Sequence, residues 1–162
     1  PRSTLFPYPT LFRSDGSRLV LLHFPIPHPL GIYDRRKNEL SLDTRNNSLD
    51  NLELVDRTVG GIRRIHEDSG RWGQRYLNVT SDHPMRPDVW SKNEVWSDEE
   101  RNATGNSRHP WIPLVVKTAG AGAPVELPQE VDASRLSALA LALLKGEVRT
   151  SEQAAHALTA SW

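Results

Sequence analysis

The sequence predicts an α/β fold, most simply a largely parallel sheet flanked by helices. Three observations predict it. Three short apolar runs, residues 18–24 (RLVLLHF), 76–80 (YLNVT) and 111–117 (WIPLVVK), have the length of buried strands. A long helical pattern separates the first two runs, and a second apolar helix follows the third. Parallel strands joined by right-handed crossovers place their exits on one edge of the sheet, where sites gather in open α/β folds.

The first strand is stopped by Pro25, Pro27 and Pro29, which exclude both helix and ladder, so Pro25–Leu30 is read as an ordered loop. Residues 34–47 are polar and read as solvated loop. From Ser48 the apolar residues Leu49, Leu52, Val55, Val59, Ile62 and Ile65 recur at steps of three and four, giving one helix over 48–68. Ser48 is its expected N-cap, and Gly70 its stop. The second strand ends abruptly at Ser81-Asp82-His83-Pro84. Met85–Arg108 carries Trp90 and Trp96 but little periodicity, and reads as a long excursion before the third strand. Asp132 is the expected cap of an apolar helix through Leu136, Leu139, Leu143 and Leu144 that Gly146 closes, and Thr150-Ser151-Glu152 starts a last short helix.

Composition narrows the functional classes. At 162 residues, 37% hydrophobic and 25% charged, the chain is about one globular domain and not a disordered one. Twenty basic and twenty acidic side chains cancel, which gives no footprint for nucleic acid. With no cysteine there is no disulfide, thiolate metal site or thiol nucleophile. No apolar run approaches the ~20 residues of a spanning helix. Residues 4–14, TLFPYPTLFRS, look like the translation of a common sequencing adapter, TLFPYTTLFRS, with Pro9 in place of a threonine. Residues 1–14 are therefore set aside as one would a tag, and residues 15–162 are read as one domain.

Two polar clusters fall at expected strand exits: HFPIPH (residues 23–28) and SDHP (residues 81–84). A carboxylate and an imidazole at Asp82-His83 have the chemistry to share one divalent cation if the backbone turns both inward. Two donors do not complete a catalytic centre, which takes about three protein ligands and an open position. Arg86, just beyond them, offers a guanidinium fork to an anion.

The order of these parts resembles the C-terminal half of sulfatase-like enzymes of the alkaline phosphatase superfamily. Pro27-His28-Pro29 matches its H-x-P-type loop, Val55-Asp56…Gly60 its helix pattern, and Thr80-Ser81-Asp82-His83 its strand end. The later RHPWIPLVVK, with Pro113 at the matching proline, resembles its following strand. The match covers about residues 18–120. One departure is Pro84, where the family has glycine after the Asp-His pair.

The resemblance implies an alkaline-phosphatase-like α/β/α sandwich whose N-terminal half, with the nucleophile and another acidic metal ligand, lies upstream of these residues. It implies that Asp82 and His83 are metal ligands and that His28 contacts the sulfo or phosphoryl group or protonates the leaving oxygen. Arg86 and, less directly, His23 would contact substrate. His109 is read as a rim residue or part of a strand-entry turn. The implied cofactor is a divalent metal ion, Zn²⁺ or Mn²⁺ favoured by the imidazole ligand, with Ca²⁺ or Mg²⁺ also used in the family.

The implied activity is hydrolysis of sulfate or phosphate esters, with the 162 residues inactive by themselves for want of a nucleophile. A related reading is a phosphoethanolamine- or phosphoglycerol-type transferase, anchored to a membrane only through upstream segments, which implies an extracytoplasmic setting. A reading from another class is a non-catalytic α/β interaction module presenting Trp90, Trp96 and Trp111 with the acidic run Asp98-Glu99-Glu100.

Overall fold

The computed structural model describes residues 19–43, 45–92, 94–105, 110–120, 122–127 and 130–160. The segment 1–14 and His109 lie outside them. The described chain is mixed α/β and divides into two compact units, one built from residues 21–65 and 82–112, the other mainly from 66–81 and 113–160.

In the first unit, Tyr33–Asp34 (β1) and Glu39–Leu40 (β2) form a small antiparallel hairpin, where the polar composition predicts only loop. Its turn is made by local chemistry. Asp34 Oδ1 accepts from the backbone N–H of Arg36 (3.0 Å) and Lys37 (3.2 Å), and Asn38 takes a left-handed φ of 61°. The hairpin is followed by buried Asn46 and Asn47, so this stretch is less solvated than its composition suggests.

Helix α1 spans Ser48–Asp68, as the periodicity predicts. Its cap is Asn47 and not Ser48. Asn47 Oδ1 accepts from the N–H of Leu49 (3.0 Å) and Asp50 (3.1 Å), while Asp50 Oδ2 accepts from the N–H of Asn47 (2.8 Å), a reciprocal capping box. The buried face also differs from the expected stripe. Asn51, Leu54, Thr58 and Ile62 are buried, whereas Leu52 is exposed. Gly70, at φ 68°, ends the helix as expected: its N–H donates to Glu67 O (2.9 Å) and that of Arg71 to His66 O (2.8 Å).

The excursion after the second strand contains two short helices, Pro87–Trp90 (α2) and Asp98–Thr104 (α3). The second starts with a full capping box between Ser97 and Glu100, an S-x-x-E signature that apolar periodicity alone overlooks.

The second unit pairs Leu77–Thr80 (β3) with Leu114–Lys117 (β4). The pairing is antiparallel, Leu77 opposite Lys117 and Thr80 opposite Leu114, where a parallel sheet is expected. The connection between them is long enough for either direction, so its length could not discriminate. Helices Arg135–Lys145 (α4) and Ser151–Thr159 (α5) cover this pair: Leu139, Leu143, Val148, Ala154 and Leu158 form the core, packed with Tyr76, Leu114, Val116 and Leu136. Gly146 closes α4 at φ 74°, and Thr150 caps α5 in a box with Gln153. Asp132 does not cap α4; it accepts from the Ser134 N–H (2.8 Å), and Ser134 precedes the helix.

The expected first strand is not formed. Residues 19–24 carry no strand, and Leu21 is 89% exposed. An apolar run becomes a strand only when another strand pairs with it, and no described strand does so. The two described sheets are thus two-stranded and antiparallel.

Candidate functional site

His23, His28, Asp82 and His83, the residues of the two clusters with candidate chemistry, all belong to the first unit. His28 and His83 each precede a proline, and each imidazole makes the same local contact: Nδ1 lies 3.3 Å from Pro29 O and 2.9 Å from Pro84 O, respectively. A carbonyl oxygen only accepts, so each contact is a hydrogen bond in the Nδ1–H tautomer, which leaves Nε2 as the lone-pair nitrogen of the neutral imidazole. A backbone carbonyl that fixes Nδ1–H is a common way of orienting a metal-binding histidine.

His83 Nε2 is 3.9 Å from Asp82 Oδ1. Donors that each bind a zinc-sized ion at about 2.0–2.2 Å can stand at most about 4.4 Å apart, so this spacing lets one ion touch both. Both side chains are solvent-accessible. Among the described residues no three His, Cys, Asp or Glu side chains form a metal-holding group, so His28 does not join this pair as a third ligand.

His28 is instead packed against Trp90, the last residue of α2. Their ring centroids are 4.9 Å apart with planes at 86°, an edge-to-face contact. The backbone around His28 is held by Asn51 of α1, 1% exposed: its Nδ2 donates to His28 O (2.7 Å) and its Oδ1 accepts from the Ile32 N–H (2.9 Å). Between those two points Leu30 sits at φ 74°, a region costly for a branched side chain. Asn51 therefore clamps a strained bend from both sides. Asn51 does not stand out as a site residue in the sequence, since an amide within an amphipathic helix reads as solvated, and Trp90 is marked there only as part of the interaction-module surface, not as a neighbour of His28.

Arg86 is exposed at the N-terminal boundary of α2; its backbone carbonyl accepts from the N–H of Val89 (3.0 Å) and Trp90 (3.1 Å), and its guanidinium pairs with no described residue. His23 is exposed in segment 19–24, which carries no strand, so it is no core histidine. Of the tryptophans, Trp96 is 2% exposed and Trp111 55% exposed. Of the residues named in the interaction-module reading, Trp96 and Glu100 are buried, whereas Trp111, Asp98 and Glu99 are exposed. No helix among the described residues is long and apolar enough to cross a membrane.

Compared with known proteins, the chain gives no significant match to any family model, curated protein or solved structure.

Proposed function

We propose that this chain supplies part of the site of a sulfatase-like metallohydrolase acting on sulfate or phosphate esters, within an alkaline-phosphatase-like domain completed by upstream sequence. The observation that carries the reading is the Asp82–His83 pair: an imidazole whose Nδ1–H is fixed on Pro84 O, with Nε2 turned to within 3.9 Å of a carboxylate oxygen. The sequence order that leads from Pro27-His28-Pro29 to this pair is the second support. The resemblance would take the remaining metal ligands and the nucleophile from family positions that the residues of this sequence do not match.

A bound divalent cation would neutralise charge on the ester oxygens and lower the pKa of a coordinated nucleophile. The chain's own residues do the rest. Asp82 and His83 Nε2 would hold the ion. His28, with its Nδ1–H on Pro29 O, offers Nε2 as the atom that gives or takes a proton or contacts the anionic group. Arg86 pairs its guanidinium with the sulfo or phosphoryl oxygens.

The test uses the natural protein that carries this chain. Initial rates on an aryl sulfate and an aryl phosphate are measured beside metal content on the same preparations. Asp82→Asn should lose metal and turnover together, whereas His28→Ala should lose turnover with metal retained. Unchanged metal and rate in both variants would overturn the reading.

A further inference from the structure

We propose that Trp90 is a positioning residue for His28, holding its imidazole so that Nδ1–H stays on Pro29 O and Nε2 is the nitrogen presented to substrate. The inference rests on the reading of His28 as the group that meets the ester.

His28 and His83 form a natural comparison, because each makes the same contact to the carbonyl of its following proline. At 2.9 Å the His83 bond is of ordinary length, while at 3.3 Å the His28 bond is beyond the usual range and holds its ring weakly. The backbone of His28 is already fixed by Asn51, so what remains free is rotation of the ring itself. Trp90 packs edge-to-face with it at 4.9 Å and 86° and so restrains the plane of the ring; of the two orientations within that plane only the observed one puts Nδ1 at Pro29 O. A half-turn of the imidazole would exchange Nδ1 with carbon and remove its proton from Pro29 O. The backbone of Trp90 is itself anchored, its main-chain N–H donating to Arg86 O at 3.1 Å, at the end of a helix that starts directly after Arg86. One short segment, residues 82–90, thus carries the candidate ligands, the candidate anion contact and the residue that orients His28. This contact joins the two loops that the sequence marks as chemical.

The test reads ring tautomers by long-range ¹H–¹⁵N NMR on the histidine-labelled chain, at a pH where the imidazoles are neutral. In the wild type both His28 and His83 should be in the Nδ1–H form. Trp90→Leu should convert His28 to a tautomer mixture and abolish the indole ring-current shift on its protons, leaving His83 unchanged. Trp90→Phe, which keeps an aromatic face, should restore the Nδ1–H form of His28. A His28 tautomer unchanged in Trp90→Leu, or a change at His83 of equal size, would overturn the proposal. Should Trp90→Leu fail to fold, the wild type and Trp90→Phe decide it: a His28 that is Nε2–H or tautomer-averaged in either refutes it. Failure of the metallohydrolase reading registers separately, as a His83 signal that does not respond to added Zn²⁺.

Discussion

Glu100, within α3, accepts two hydrogen bonds from Ser48, the first residue of α1: one from its backbone N–H (2.9 Å) and one from its hydroxyl (2.6 Å). The other carboxylate oxygen accepts from the N–H and hydroxyl of Ser97, both at 2.8 Å. One buried carboxylate therefore satisfies orphan donors at two helix starts, where negative charge is also favoured by the helix dipoles. Around it, Asn47 Nδ2 donates to Ser97 Oγ and Glu99 Oε2, and Arg35 bridges Asp50 and Glu99.

Replacing this charge should be costly. Burial pushes the Glu100 carboxyl upward, but the hydrogen bonds from Ser48 and Ser97 outweigh it and hold the group below its ordinary 4.5. Glu100→Gln keeps the shape but sets an amide donor against donors, and should destabilise by about 2–3 kcal/mol. The charged carboxylate's stabilisation is complete above 4.5 and is lost as pH falls through the lowered folded value. Urea melts at neutral and acid pH should show both the loss and a flatter acid limb in the variant.

Gly31 is predicted to be irreplaceable for a steric reason. A Cβ there would lie 2.5 Å from Asn46 C and 2.5 Å from Asn47 N, backbone atoms at the cap of α1 that cannot move aside cheaply. Gly31→Ala should cost about 2 kcal/mol or more and lower the thermal midpoint, without requiring any change at Asp82 or His83.

His66 should give the second unit a pH dependence below 6.5. It is half-buried, and burial first, then the charges of Arg75, Arg71 and Lys117, pull its pKa below the ordinary 6.5. A base with a depressed folded pKa favours the unfolded state when protonated. Stability should thus be full above 6.5 and fall as pH drops through the lowered folded value. His66→Gln should flatten that part of the curve; an unaltered slope in the variant would assign the effect to other groups.

Local signals were legible in the sequence, and long-range pairing was not. Helix α1, the Gly70 and Gly146 stops and the Thr150 start follow from periodicity and capping chemistry within a few residues. The strands β3 and β4 were visible as apolar runs, but their antiparallel direction depends on partners distant in sequence. Segment 19–24 shows the same limit, as an apolar run with no described strand beside it. At the site, Asp82-His83 and His28 were marked by position after strand-like runs. The roles of Asn51 and Trp90 arise only from contacts across 23 residues in one case and from ring geometry in the other.

The most direct measurement is a Zn²⁺ titration of the chain, read at His83 Nε2 by ¹H–¹⁵N NMR and repeated on Asp82→Asn and His28→Ala. With two protein ligands binding should be weak, yet it should saturate with a perturbation centred on His83 Nε2. Asp82→Asn should weaken it by about tenfold or more, and His28→Ala should leave it as in the wild type. No response at His83, or an equal response when Asp82 is replaced, would contradict the assignment of this pair as metal ligands.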